Sequence, residues 1–359
     1  MDTVREKFEQ EHGTPESLPN NKKQEQREKT RDFLLNYSLY IVLGILILII
    51  IIIEPSFLSL QNLTNILSQA STRAIMALGA AGLIVLQGTD LSAGRVLGLS
   101  AVVGASLLQD PNFPSRMYAD LPQLPIIVPL LVTLAIGAIF GLINGFGVAV
   151  LRVHAFIITL ETQLIAYGLS LIYIDRPPLG AQPIGSLDSR YTSVVRGSFK
   201  IGVFELPYLV LYAAIISVIM WVVWNKTKLG KNMFAIGGNM EAAEVSGVKV
   251  VKNIMIVFLI SGLLYGLAGY LEAARIGSVT SNTGLNYDLD AISASVIGGV
   301  SFSGGVGTIP GVLIGTLILQ VINYGLTFIG VNPYLQFIIR GLIIIIAVSL
   351  DVRKYIKRK

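Results

Sequence analysis

The chain has no cysteine, only two histidines and little charge. Without cysteine there is no disulfide, no thiolate metal site and no thiol nucleophile. His12 and His154 stand too far apart in sequence to suggest a metal pair, so metal chemistry is set aside. Charged residues make up 14% of the chain, against about 25% in soluble domains. No G-x-x-x-x-G-K-[ST] phosphate loop occurs, so any ATP dependence has to come from another subunit. No cluster of acid, base and nucleophile is found that would argue for an enzyme. What is present is hydrophobicity, 53% of residues with a mean hydropathy of +0.69, and the bilayer is the expected solvent. The net charge of +5 comes from the tails and one loop, which reads as membrane topology and not as nucleic-acid binding.

Residues 1–36 are polar and mixed in charge and are expected to form a cytoplasmic extension. The first apolar run, Tyr37 to Ile53, lacks a small-residue cleavage site and is followed by Glu54-Pro55, so it reads as an uncleaved span. Further apolar segments run Asn65 to Leu86, Leu91 to Leu108, Ile126 to Leu151, Ala155 to Ile174, Pro207 to Trp224, Ile254 to Ala274, Leu289 to Val300, Thr308 to Gly330 and Leu335 to Leu350. The expectation is an all-α polytopic membrane protein of about ten spans occupying 37–352, with a basic tail at 353–359. Leu91 to Leu108 is glycine-rich and Leu289 to Val300 is too short to cross about 30 Å unaided. Lys22, Lys23, Arg27, Lys29 and Arg31 before the first span, and Arg353, Lys354, Lys357, Arg358 and Lys359 after the last, place both termini in the cytoplasm. The same rule puts the loop 226–252 inside, with Lys226, Lys228, Lys231, Lys249 and Lys252.

That loop carries L-G-K-N-M-F-A-I-G-G-N-M-E-A-A-E-V-S-G-V, Leu229 to Val248. Asn239 suits an N-cap, Glu241 and Glu244 favour the positive end of a helix, and Gly247 can take the left-handed conformation that stops one. So short a helix is marginal alone in water, which points to a partner that holds it, or else to a plain solvated linker.

Two glycine-rich interruptions are expected as broken or re-entrant helices. One is G-T-D-L-S-A-G-R, with Gly88, Asp90, Ser92 and Gly94, and the other lies at 297–307, with Gly304 and Gly305. Irregular backbone at membrane depth is tolerated only inside protein or facing water, so the pair suggests a repeat and a pathway; close helix packing on small residues is the other reading. Charges within or near spans are Arg73, Asp90, Arg95, Glu161, Glu272, Arg275 and Arg340, most of them close enough to a span end to snorkel. Glu161 reads as a structural ion pair, with Arg95 or Arg152 as its partner, or as a cavity-facing carboxylate, and a proton-coupling role is the sharper alternative. Asn144, Thr159, Glu161, Gln163, Asn323 and Tyr324 are the candidate residues along a solute path, and the uncharged ones can equally bridge helices.

Four segments, G-T-D-L-S-A-G-R, F-A-I-G-G-N-M-E-A-A-E-V-S-G-V, G-G-V-S-F-S-G-G-V-G-T and N-Y-G-L-T-F-I-G-V-N-P-Y, resemble the sugar permease subunits of bacterial ATP-binding-cassette importers. The resemblance runs from about Tyr37 to the C-terminus. It implies a homodimer in the bacterial inner membrane, surrounded by lipid, with a cytoplasmic ATPase subunit and a periplasmic sugar-binding protein as partners, no cofactor and no nucleic acid. It also implies that Gly238, Asn239, Glu241, Ala242, Ala243, Glu244 and Gly247 dock the ATPase. Met240 departs from the family's usual proline, which helps a helix start but is not obligatory. The residues leave the sugar open, and a gradient-driven transporter of a small polar solute is the alternative reading.

Overall fold

A computed structural model describes residues 44–176, 180–202 and 204–356. The expected N-terminal extension, residues 37–43 of the first span and residues 357–359 of the tail lie outside the described residues. The chain divides near Gly44 into two units, of which the second, Ile45–Lys359, carries the helical bundle.

Helix α1 covers Gly44–Ile53, and after a short 3-10 turn at Pro55–Leu58 come α2 (Leu60–Val85), α3 (Ala93–Leu107), α4 (Ile127–Ala149) and α5 (Ala155–Ile174). A small hairpin, β1 (Asp175–Arg176) with β2 (Gly180–Ala181), precedes α6 (Ser189–Arg196), and a second, β3 (Ser198–Ile201) with β4 (Phe204–Pro207), precedes α7 (Tyr208–Lys226). Then follow α8 (Lys228–Gly238), α9 (Met240–Val245), α10 (Val250–Ile276), α11 (Tyr287–Ile297), α12 (Ile309–Phe328) and α13 (Pro333–Ile356). Ten of these helices coincide with the ten apolar segments. Five of them, α4, α5, α7, α10 and α12, are by themselves long and apolar enough to cross a membrane.

Helix α10 is the centre of the bundle and packs against α2, α3 and α4. Its contact with α4 is a seam of glycines: a Cβ at Gly137 or Gly141 would collide with the carbonyls of Gly262 or Phe258, and one at Gly262 with the carbonyl of Gly137. Backbones meet there directly, the small-residue packing that replaces a hydrophobic driving force inside a membrane. Helices α4, α5 and α7 turn large apolar side chains outward, among them Leu131, Leu164, Ile172 and Val218, as a lipid-facing surface requires.

The two weak segments become short helices. At about 1.5 Å per residue α3 and α11 fall well short of the bilayer core. Each follows a stretch of irregular backbone, 86–92 before α3 and 277–286 before α11, and the two starts touch: a Cβ on Gly94 would strike the carbonyl of Gly284 and stand 3.2 Å from the amide of Asp288. The second segment, a polar stretch in the sequence, therefore dips back against α3. The glycine-rich turn at 298–308, the other expected break, lies at the opposite end of α11. Gly305 N donates to Val85 O at 2.9 Å, so the turn is pinned to the end of α2.

Candidate functional site

The polar segment between α7 and α10 is not one helix but two, joined at Asn239. The backbone of Asn239 is extended (φ −159°, ψ 106°), which ends α8, and its side chain accepts a hydrogen bond from Ala242 N at 2.9 Å, which starts α9. Gly247, at φ +83°, closes α9, with its amide on the Glu244 carbonyl and that of Val248 on the Ala243 carbonyl. Between cap and stop only Ala243 is buried; Glu241, Ala242 and Glu244 are exposed, Met240 is 46% exposed and Val245 90%.

The exposed α9 stands on a buried base. Met233 and Ile236 of α8 are 2% and 1% exposed, and Trp224 meets Phe234 edge to face with centroids 5.6 Å apart. Gly237 lies so close to the end of α2 that a Cβ would fall on the Val85 carbonyl, while Gly238 has open space. Gln87 Nε2 donates both to Gly237 O at 2.8 Å and to Ser303 O at 2.9 Å. A Cβ on Gly304 would strike Gly237 O, and one on Gly305 would crowd Gly238. The ends of α2 and α8 and the turn after α11 thus meet in one closely packed corner.

The break before α3 is held by a buried polar chain. Asp90 accepts from Ser92 N at 2.9 Å and from Ser92 Oγ at 2.6 Å; Asn144 Nδ2 donates to Ser92 Oγ at 2.9 Å and Thr162 Oγ1 to Asn144 Oδ1 at 2.7 Å. Leu91 N donates to Thr159 Oγ1 at 3.2 Å, and Gly88 N closes α2 on Leu83 O. Asn144 and Thr159 are therefore committed to fixing this backbone. Glu161 is exposed and forms no salt bridge with Arg95 or Arg152 among the described residues. Arg95 reaches instead to Ser281 O at 3.1 Å and stacks over the Tyr167 ring at 4.0 Å, since the dip at 277–286 comes nearer to it than Glu161 does. Gln163 is half-buried on α5.

Snorkelling does not describe Arg73, Glu272 or Arg275. Glu272, fully buried, accepts from Arg275 Nε and Nη2, Thr72 Oγ1 and Tyr287 OH, all at 2.7 to 2.8 Å. Arg73 pairs with Asp290 and lies 3.9 Å over the Tyr287 ring. The network ties α2, α10 and α11 together. Asp290 escapes a reading of the sequence because it sits at the mouth of a short apolar segment; its spacing of one turn from Tyr287 on α11 is the signal that could have found it. The side chain of Arg340 lies outside those described.

On α12, Tyr324 OH donates to Asn62 Oδ1 at 2.8 Å and accepts from Asn65 Nδ2 at 3.3 Å, which makes it a strut to α2. Asn323, next to it, is buried, and neither its amide nitrogen nor its oxygen has a hydrogen-bond partner among the described residues.

The end of the bundle opposite α9 carries a small platform. Asp188 caps α6 by accepting from Arg190 N at 2.8 Å, and it also receives the Arg190 guanidinium and Gln123 Nε2, so it ties the loop 108–126 to α6. Hydrogen bonds from Arg190, with those from Gln123, hold its carboxyl down to about 2. A carboxyl with a lowered pKa contributes stability that is complete above its ordinary value of about 3.9 and is lost as pH falls from there toward 2. Asp188→Ala is expected to cost about 1 to 2 kcal/mol, from the side-chain hydrogen bonds of Arg190 and Gln123 together with the lost cap, and to flatten the acid limb of thermal stability between about pH 4 and 2. A melting curve of the variant in detergent that runs parallel to the parent over that range would refute this.

A family model described as branched-chain amino acid transport system / permease component matches residues 62–348. The chain is similar to the galactose/methyl galactoside import permease protein of Haemophilus influenzae, with 51% identity over 334 residues, 93% of this chain and 99% of that protein. It is 54% identical over 322 residues to the protein of the same name from Escherichia coli, covering 90% and 95% of the two chains. The ribose import permease protein of Escherichia coli is 37% identical over 326 residues, 90% and 96% of the two. No solved structure matches the chain.

Proposed function

Because the chain belongs to the family of branched-chain amino acid transport system permease components, we propose that it forms the membrane path of an ATP-driven sugar importer of the galactose and methyl galactoside type. In this reading the chain is not an enzyme. ATP is hydrolysed by a separate cytoplasmic subunit, and a periplasmic binding protein delivers the sugar and sets most of the specificity. Two copies of the chain are proposed to flank the path in the inner membrane, with the lipid-facing surfaces of α4, α5 and α7 outward.

The observation that carries the reading is α9. A six-residue helix with exposed Met240, Ala242 and Val245 has no reason to be apolar in water, and its fixed base on α8 is what a lever needs. Gly238, Asn239, Glu241, Ala242, Ala243, Glu244 and Gly247 are proposed as the ATPase dock, with both termini and α9 on the cytoplasmic side. Glu161, a carboxylate that proton coupling would use, is exposed on α5 and gives the gradient-driven alternative no support.

Expressed with its ATPase and binding protein, the tagged chain is expected to recover the ATPase in stoichiometric amount. It is also expected to drive uptake of labelled methyl galactoside that survives an ionophore and stops when ATP is depleted. Uptake that collapses with the ionophore while ATP is maintained would overturn the proposal.

A further inference from the structure

Asn323 of α12 is 6% exposed with both of its amide atoms unpartnered among the described residues, and Gln320, one turn earlier, is 2% exposed. Gln320 Nε2 donates to Gln69 Oε1 at 3.0 Å, while its own oxygen is unpartnered among the described residues. Both side chains border a cavity between α2, α11 and α12 whose other polar walls include Arg73 and Asp290. A buried polar atom without a partner carries an uncompensated desolvation penalty, and proteins rarely retain one unless something visits it.

The chemistry of the walls says what the visitor is. Arg73 and Asp290 form an ion pair, so their charges offset one another and the cavity does not select an ion. What is left over is one amide donor group and two amide oxygens, all neutral. A hydroxyl donates one hydrogen bond and accepts two, so it satisfies an amide oxygen and an amide nitrogen at once, and an apolar group satisfies neither. Size sets a further limit. The cavity has a volume of about 10 Å³. That is room for one hydroxyl or one water, not for a sugar ring.

We infer that this cavity is a subsite for a single hydroxyl group of the transported sugar, which rests on the importer reading. The subsite engages the hydroxyl as the ring passes, and α11, tied to α2 by Arg73–Asp290 and to α10 by Tyr287–Glu272, sets its width. The same hydrogen bonds can be made by a resident water, and the test separates the two sources.

The test uses the full transporter assembled with its ATPase and binding protein, with parent, Asn323→Leu and Asn323→Ser chains. Uptake of labelled methyl galactoside and of a panel of its monodeoxy analogues is measured, together with the melting temperature of the purified complex. A sugar subsite predicts that Asn323→Leu leaves the melting temperature unchanged or raised, because an unpartnered amide has been removed. It also predicts that uptake falls about tenfold, the equivalent of one lost hydrogen bond in the path, with partial recovery in Asn323→Ser. The parent then discriminates against one monodeoxy analogue more strongly than Asn323→Leu does, over and above the discrimination that the shared binding protein contributes to both, a difference no structural role produces. A resident water alone predicts a lowered melting temperature with uptake falling only in proportion to folded protein, and that outcome overturns the inference. So does parent-like uptake and discrimination in Asn323→Leu. A parent complex that carries no sugar at all overturns the importer reading and the subsite with it, whereas a transporting parent with an indifferent variant overturns the subsite alone.

Discussion

Replacing Glu272 by leucine is expected to destabilise the bundle by about 3 to 5 kcal/mol. The carboxylate is fully buried and takes four hydrogen bonds, two from Arg275 and one each from Thr72 and Tyr287. Its removal leaves the Arg275 guanidinium, 18% exposed, without its counter-charge, and strips Tyr287 of the bond that seats the start of α11. Against a total stability of about 5 to 15 kcal/mol, a loss of that size depletes folded protein. The loss is attributed to an orphaned charge and not to lost packing, and a second variant separates these. Glu272→Leu with Arg275→Leu removes both charges, and replacing a buried ion pair by apolar residues is commonly near neutral. The double variant is therefore expected to regain most of the melting temperature and yield that Glu272→Leu loses, as read by fluorescence-detected size exclusion over a temperature ramp. If single and double variants melt together, well below the parent, the orphaned-charge account is wrong.

Most of the architecture is legible in the sequence because the information is local. Helices α5 and α4 follow from long apolar runs, and α9 from a cap residue, two glutamates and a glycine stop within nine positions of the chain, Asn239 to Gly247. The shortness of α3 and α11 is foreshadowed by the glycine content of one segment and the length of the other. The remainder depends on contacts between distant residues. Thr72 and Glu272 are 200 positions apart and Arg73 and Asp290 217, so nothing in either neighbourhood announces the other, and snorkelling is the natural reading of an arginine near a span end. The dip of 277–286 is hidden for a related reason. Ser281, Asn282 and Thr283 read as a solvated loop, and only the close approach of this stretch to Gly94 and Gly98 shows that it returns into the bundle. Helix α6 escapes notice because eight residues give too little periodicity; its existence depends on the Asp188 cap and on burying Tyr191 and Val195. Of the proposed solute-path residues, Asn144, Thr159 and Tyr324 serve the frame, and Asn323 presents unspent hydrogen-bonding capacity.

Reversing the chemistry of α9 is expected to abolish transport without harming the fold. Val245 is 90% exposed and Glu241 is exposed, so Val245→Asp and Glu241→Arg remove no packing contact; the arginine forfeits only the favourable charge in the first turn of α9, about 0.3 to 1 kcal/mol, and the amount of chain in the membrane and its melting temperature should stay near parent values. An apolar side chain buried at an interface contributes about 1.5 to 3 kcal/mol, so losing Val245 alone should weaken ATPase association by about ten- to a hundredfold, and adding the charge reversal should take uptake to background. Co-purification at parent stoichiometry in the double variant would sink the dock. Asn239→Ala addresses the lever separately from its surface. Losing the cap costs about 1 kcal/mol, a large share of what a six-residue helix has, while every exposed side chain of α9 is retained. Such a variant should still bind ATPase, several-fold more weakly, but hydrolyse ATP with less sugar moved per turnover, because the force enters a frayed helix before it reaches Gly237 and the end of α2. A surface that merely adheres would show weaker binding and uptake reduced in the same proportion; a lever shows uptake reduced more than binding.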